Sequence, residues 1–262
     1  MTQNVNLSPW LVSWHQRPHS KIRLFCFPFA GGGASVYRLW AQDIPENWEL
    51  HSVQLPGREN RIGDTPYTCM DQLVPQLVDE LLKHLDRPFV FFGHSMGAAI
   101  AFEVARRLQE VYGLIPEHLF VSGRSAPHRP LQKSPIYNLP RDTFIKRLED
   151  LGGTPREVLE HPELMELLIP MLRADFELDD TYRMLPGPQL ACPMSVYGGD
   201  EDPEVSTTDL AAWNDLSTAP AAVTYMQGGH FFIVQQRRAL LEEIRVTLSG
   251  SKKYIVGLSV DA

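Results

Sequence analysis

The chain has 262 residues, of which 44% are hydrophobic and 21% charged, and its formal net charge is −8. This length suits one α/β domain with room for an insertion, so we expect a single domain over residues 1–262. The acidic balance argues against a nucleic-acid binder, which needs a basic face. No stretch approaches the roughly 20 apolar residues that span a bilayer, and the N-terminus lacks a signal-like apolar core, so a cytoplasmic protein without membrane contact is expected.

Short apolar runs alternate with helix-like stretches along most of the chain, which is typical of an α/β fold. Several runs are nearly continuously apolar, as expected of strands that are buried on both faces of a mostly parallel sheet. The predicted strands are Ile22–Phe29, Leu50–Leu55, Phe89–Phe92, Leu119–Val121, Met194–Tyr197 and Val223–Met226. Apolar residues at helical spacing predict helices over Gln72–Leu85, Met96–Tyr112, Thr207–Leu216 and Gln236–Leu248.

The stretch from about residue 127 to 188 interrupts this alternation, because it is rich in proline and contains no convincing strand. One alternative is an ordinary long crossover helix. Roughly 60 residues exceed what a crossover needs, so a helical lid inserted between two strands is preferred. The charges of Arg173 and Asp175, on its last helix, are expected to be solvated. The three predicted lid helices are Arg141–Leu151, Pro155–Glu160 and Pro162–Phe176.

Residues 93–97 read Gly-His-Ser-Met-Gly and lie between a predicted strand and a predicted helix. This is the context of a nucleophile elbow, in which a strained turn presents Ser95 and requires small neighbours at Gly93 and Gly97. The positive end of the following helix then faces the negative charge that develops on the substrate. The alternative is a plain strand–helix turn in which the serine only caps the helix.

A nucleophilic serine needs a base, and in folds with this elbow the acid and then the histidine follow it in the chain. His230 is the last of the nine histidines and stands directly after two glycines, so it is the predicted base. His94 is adjacent to the serine, but neighbours on a tight turn point in different directions.

Three carboxylates compete for the acid position after the strand that ends at Tyr197: Asp200, Glu201 and Asp202. The Gly-x-x-Asp-x-x-Val spacing, counted from Gly199, favours Asp202, and Asp200 remains the alternative. The acid would hold the histidine tautomer and stabilise the protonated ring.

A glycine-rich loop, Gly31–Gly33, follows the first predicted strand. It lacks the Gly-x-x-x-x-Gly-Lys-Ser/Thr pattern of a phosphate-binding loop. With a nucleophile elbow, the equivalent loop supplies one oxyanion amide and the residue after the nucleophile supplies the other. The backbone N–H groups of Ala30 and Met96 are the predicted donors.

Five segments together carry a family resemblance, which runs from about residue 20 to 248. The chain resembles the type II (external, stand-alone) thioesterases of nonribosomal peptide and polyketide synthesis. The segments are Phe27-Pro-Phe-Ala-Gly-Gly, Gln54-Leu-Pro-Gly-Arg58-Glu, Gly93-His-Ser-Met-Gly97, Leu172-Arg-Ala-Asp-Phe176 and Gly228-Gly-His-Phe231.

The resemblance implies an α/β-hydrolase fold, with a mostly parallel sheet flanked by helices and a helical lid. It implies a catalytic triad of Ser95, Asp202 and His230, with oxyanion amides at Ala30 and Met96. The implied reaction is hydrolysis of acyl groups from the phosphopantetheine arm of carrier proteins, which edits stalled or misprimed synthase modules. Phosphopantetheine would arrive with the substrate, so no cofactor and no metal are expected.

Three other functions remain open at this stage: a small-molecule carboxylesterase or lipase, an acyltransferase with the same triad, and a non-catalytic binding protein. Arg58 is expected either to face the mouth of the site or to form a structural ion pair. The partner is expected to be an acyl or peptidyl carrier protein, and the chain itself is expected to be a monomer.

Overall fold

The structure is a computed structural model that describes residues 5–129 and 133–250. For the C-terminal residues 249–262 the sequence is compatible with either an extra strand or a disordered tail, and most of this segment lies outside the described residues. The described residues form one sheet of eight strands in the order β1-β2-β4-β3-β5-β6-β7-β8. The strands are β1 (Val5–Ser8), β2 (Leu11–Ser13), β3 (Ile22–Phe27), β4 (Trp48–Val53), β5 (Phe89–His94), β6 (His118–Ser122), β7 (Met194–Gly199) and β8 (Ala222–Met226).

Strands β3 to β8 pair in parallel, whereas β1 and β2 form an antiparallel edge beside β4. All six predicted strands are present. The edge strands β1 and β2 were not predicted, because they have only four and three residues and their apolar pattern is correspondingly short.

Helices cover both faces of the sheet. Buried side chains of α2 and α3 pack on one face, and those of α1, α8 and α9 pack on the other. In α9, Leu240, Leu241, Ile244 and Leu248 recur at helical spacing and are all buried. None of the helices in the described ranges has the length and apolarity to cross a membrane. The helices are α1 (Trp40–Asp43), α2 (Met70–Leu81), α3 (Met96–Arg107), α4 (Arg141–Leu151), α5 (Arg156–Leu159), α6 (Pro162–Thr181), α7 (Thr207–Ala211), α8 (Phe232–Gln235) and α9 (Arg237–Gly250).

Helices α4, α5 and α6 lie between β6 and β7, where the lid was predicted. They have a small core of their own, which includes Phe144, Leu148 and Met165. The last helix is five residues longer than predicted, and its side chains Leu164 and Leu167 are exposed rather than packed. The prediction of an α/β fold with a helical insertion is confirmed.

Candidate active site

Ser95 occupies a sharp turn between the end of β5 and the start of α3. Its backbone has φ 53° and ψ −121°, a conformation that L-residues rarely adopt and that costs about 1–3 kcal/mol. A Cβ at Gly93 would collide with the backbone of Gly97, and a Cβ at Gly97 would collide with the carbonyl of Phe27. Steric contact with the backbone therefore excludes a side chain at either position. The absence of a Cβ allows helix α3 to approach the strands closely.

The turn is held against the neighbouring strand, because the Ser95 N–H donates to the carbonyl of Ser122 at 2.8 Å. Ser122 ends β6, so Ser95 lies at the carboxyl edge of the parallel strands. Ligands bind at this edge in open parallel sheets, since the loops that follow the strands converge there.

His230 and Asp202 are brought together from two loops at the same edge. His230 Nδ1 lies 2.8 Å from Asp202 Oδ2, and Asp202 Oδ1 accepts the backbone N–H of Glu204 at 2.8 Å. The Asp202 side chain is only 1% exposed. Both carboxylate oxygens thus have fixed partners, and the bond to Nδ1 leaves Nε2 of His230 as the nitrogen that can accept a proton.

Asp200, the alternative acid, has a different partner. Its Oδ1 accepts the backbone N–H of Gly228 at 2.8 Å, and its own N–H donates to the carbonyl of Met226. Gly228 has φ 120°, a conformation open to glycine. Asp200 therefore braces the loop that carries His230, whereas it is Asp202 that contacts the imidazole. Sequence spacing had favoured the residue that makes this contact.

His94 is fully buried beside the site. Its Nδ1 is paired with Ser122 Oγ at 2.9 Å, and its ring centroid lies 5.1 Å from that of His230. Burial, and then the charge of His230, lower the pKa of His94 well below its usual value. It is therefore a neutral packing group under the His230 ring.

The Ala30 N–H, in the loop after β3, is followed by two amides that are already hydrogen-bonded. The Gly31 N–H donates to Asp175 Oδ2 at 2.7 Å, and the Gly32 N–H donates to the carbonyl of Phe29 at 2.9 Å. In the described ranges, 5–129 and 133–250, the N–H groups of Ala30 and Met96 have no hydrogen-bond partner. These are the two amides predicted from the sequence.

A cavity of about 290 Å³ lies between the sheet edge and the lid helices. Ser95, His230 and Ala30 line its floor, and the lid contributes Leu151, Leu172 and Phe176 among others. No group of three or more metal-ligating side chains occurs in the part of the chain that the structure describes.

Arg58 and Asp175 form a buried, bidentate ion pair. Arg58 Nη1 lies 2.7 Å from Asp175 Oδ2 and Arg58 Nη2 lies 2.6 Å from Asp175 Oδ1, and the two residues are 3% and 2% exposed. The prediction that Asp175 is solvated is wrong, because α6 places it on the inner face of the lid. For Arg58, the structural ion pair is the alternative that the structure supports.

Arg173 is not a solvated charge either. Its guanidinium donates to the carbonyls of Tyr137 and Leu139 and lies over the ring of Phe144. It ties the segment before α4 to α6, so its role in the lid is structural.

A second serine–histidine pair, His118 Nε2 and Ser195 Oγ at 2.9 Å, is remote from this edge. His118 begins β6 and Ser195 is the second residue of β7, so both lie toward the amino ends of the strands. Both are buried, and they form part of the core.

Comparison with known proteins places the whole of this architecture in one family. A family model described as a thioesterase domain matches residues 22–248. The gramicidin S biosynthesis protein GrsT of Aneurinibacillus migulanus is 39% identical over 242 residues, which cover 92% of this chain and 94% of that protein. The structure of the type II thioesterase BorB from the borrelidin biosynthetic cluster superposes with a TM-score of 0.84 at 32% identity, covering 94% of this chain and 98% of that one.

Another relative, LgrE of Brevibacillus parabrevis, is named a linear gramicidin dehydrogenase and is 40% identical over 260 residues, 97% of this chain and 98% of that protein. In this chain the glycine-rich loop after β3 leads into a four-residue 3-10 helix, Ala34–Tyr37. A dinucleotide fingerprint instead opens a long helix whose N-terminus binds the pyrophosphate. The loop therefore does not have the form of a nicotinamide site. The chain belongs to the thioesterase domain family, and it is a serine hydrolase that acts on thioesters.

Proposed function

We propose that this thioesterase removes acyl groups from the phosphopantetheine arm of acyl or peptidyl carrier protein domains, and so clears stalled or misprimed modules of a synthase. The observation that carries the proposal is the joint presence of Ser95 and His230 in one cavity beneath the lid, with Asp202 behind the imidazole. The close similarity to proteins of antibiotic biosynthesis supports the choice of substrate.

In the proposed mechanism, His230 Nε2 takes the proton of Ser95 Oγ while this oxygen attacks the thioester carbonyl. The amides of Ala30 and Met96 stabilise the oxyanion, and Asp202 stabilises the imidazolium. The C–S bond then breaks, and the proton on His230 passes to the thiolate of the pantetheine arm. Water next attacks the acyl-serine while His230 takes one of its protons. His230 then passes this proton to Ser95 Oγ as the carboxylic acid leaves.

Phosphopantetheine would enter with the carrier, and we propose that the reaction uses no metal or bound organic cofactor. Carrier domains are commonly acidic, and the chain has a net charge of −8, so docking requires local complementarity. Arg129 and Arg183 are exposed and line the cavity, where they would meet an acidic partner. We further propose that the enzyme acts as a cytoplasmic monomer.

The test is mass spectrometry of an acyl-loaded carrier protein incubated with the wild type and with Ser95→Ala, alongside a free acyl-pantetheine and an aryl ester. The proposal predicts that the wild type clears the carrier thioester much faster than the other two substrates and that Ser95→Ala does not. If the carrier thioester persists while the aryl ester is cleaved, the substrate is a small-molecule ester. Transfer of the acyl group to an added alcohol or amine would indicate an acyltransferase.

A further inference from the structure

The glycine-rich loop that carries Ala30 is held from outside by side chains that take no part in the proposed chemistry. Asp175 Oδ2 accepts the N–H of Gly31 at 2.7 Å, and Arg58 Nη1 donates to the carbonyl of Gly32 at 3.0 Å. Two peptide groups of the loop, Ala30–Gly31 and Gly32–Gly33, are thus fixed by the two members of one buried ion pair.

The same turn that carries Arg58 supports the loop further along. Gln54 Oε1 accepts the N–H of Ala34 at 2.6 Å, and Glu59 Oε1 accepts the N–H of Ser35 at 3.1 Å. Gln54 also donates from Nε2 to the carbonyl of Arg58 at 3.0 Å, so the turn is tied to itself. The Gln-Leu-Pro-Gly-Arg-Glu segment therefore forms a brace under the loop after β3.

The position of the Ala30 amide depends on this brace because the peptide that follows Ala30 includes the N–H of Gly31. The bond from Gly31 to Asp175 sets the orientation of that peptide, and Ala30, whose own N–H is not hydrogen-bonded within the described residues, lines the cavity. The side chain of Leu172 also contacts Gly31, where a Cβ would overlap it. Helix α6 therefore rests directly on the loop.

We infer that Arg58 and Asp175 are positioning residues for the oxyanion site: together they set the amide of Ala30 and couple its placement to the lid helix α6. The ion pair is deeply buried, and breaking such a pair leaves an uncompensated charge. A loop that consists largely of glycine has little rigidity of its own, since glycine restricts its backbone least. The rigidity that an oxyanion donor requires is supplied here by the ion pair.

The inference rests on the proposed serine mechanism but not on the carrier substrate, so it is tested on whichever ester or thioester the wild type cleaves. Asp175→Asn keeps the shape of the side chain and removes its charge. Arg58→Lys keeps the positive charge but cannot form the bidentate hydrogen bonds to Asp175. The matched control is Glu49→Gln, which breaks the buried pair Arg23–Glu49 in β3 and β4, away from the loops at the carboxyl edge.

The rates are normalised to active sites titrated with a fluorophosphonate, and the affinity for an alkyl trifluoromethyl ketone is measured in parallel. Such a ketone adds Ser95 Oγ reversibly and places its oxyanion where that of the transition state forms. Loss of one oxyanion donor typically lowers kcat about 10²–10³-fold. A displaced donor should cost less, so we expect kcat and the ketone affinity to fall together by about 10–100-fold, with KM changed by less than about threefold.

Glu49→Gln should lower thermal stability while kcat and ketone affinity per active site stay within about twofold of the wild type. The inference is overturned if folded Asp175→Asn and Arg58→Lys retain the wild-type kcat, or if kcat falls while the ketone affinity does not. It is also overturned if neither variant folds while Glu49→Gln does, because the pair would then serve stability alone.

Discussion

His230 Nδ1 lies 2.8 Å from Asp202 Oδ2, although the two residues come from different loops that follow β7 and β8. The second oxygen of the same carboxylate is held by the backbone N–H of Glu204. This arrangement fixes the plane of the imidazole before any substrate arrives, as a proton shuttle requires.

Substitution of the two aspartates in this loop should have very different effects on kcat. Asp202→Asn should lower kcat about 10⁴-fold on an acyl N-acetylcysteamine thioester, because the amide would favour the wrong histidine tautomer. Asp200→Asn weakens only a hydrogen bond to Gly228, worth about 1 kcal/mol, and should lower kcat by no more than about tenfold. A larger loss in Asp200→Asn than in Asp202→Asn would identify Asp200 as the acid.

The close approach at the elbow should make Gly97→Ala severely destabilising. The new Cβ would meet the carbonyl of Phe27, which belongs to the central strand β3 and cannot yield. We expect a loss of about 3 kcal/mol in the free energy of unfolding, measured with urea, at the upper end of the cost of overpacking.

Gly63→Ala is the control for this variant, since no heavy atom lies within 4 Å of its added Cβ. It should change the stability by no more than about 0.5 kcal/mol. Equal stability of the two variants would show that the contact at Gly97 is not tight in solution.

The stability of the fold should fall on acidification, partly through His118. Burial lowers the pKa of His118 from 6.5 to about 4. The unfolded chain then binds a proton more readily than the folded chain. Stability from this residue is therefore fully present above pH 6.5 and is lost as the pH falls toward 4. The whole shift corresponds to about 3 kcal/mol.

The measurement is urea unfolding at pH 7, 6, 5 and 4. The unfolding free energy of His118→Gln should decline between pH 7 and 4 by about 3 kcal/mol less than that of the wild type. His19→Gln, at an exposed loop residue, should follow the wild-type curve. Parallel curves for all three proteins would contradict the assignment.

A larger side chain at the last residue of α4 should reduce the depth of the cavity that is available to the acyl chain. Leu151 is half-buried and lines the cavity of about 290 Å³, so Leu151→Trp would occupy space that a long acyl chain needs. We expect kcat/KM for a decanoyl thioester, relative to that for an acetyl thioester, to fall about tenfold, since one or two methylene contacts are worth about 1–3 kcal/mol.

Leu39→Trp provides the comparison, because Leu39 is 51% exposed and does not line the cavity. It should leave the ratio of the two specificity constants unchanged. An unchanged ratio in Leu151→Trp as well would place the acyl chain elsewhere in the cavity.

Much of the fold was readable from local patterns. Five of the six parallel strands are almost wholly buried and therefore consist mainly of apolar residues, whereas β8, at the edge of the sheet, is only partly buried. The edge strands β1 and β2 escaped detection because each is too short for a periodic pattern. The length of α6 was underestimated, since Glu177 to Thr181 are largely polar and continue the helix beyond its apolar stripe.

The burial of the charged residues in the lid could not be predicted from the sequence. Asp175 stands on a helix among other polar residues, and its sequence neighbourhood is that of a solvated charge. Its partner Arg58 is 117 positions away, and their pairing depends on how α6 lies over the loop after β3. Two charges that would each be exposed in isolation become buried because each neutralises the other.

The sequence by itself determined the elbow, the candidate serine and histidine, and the order of sheet and lid. These features depend on contacts between near neighbours in the chain, above all on the two glycines that the turn at Ser95 requires. Only the tertiary structure decided which aspartate meets His230 and what braces the oxyanion loop. Those choices depend on distances between separate loops, and such distances are fixed only when the strands and helices have packed together.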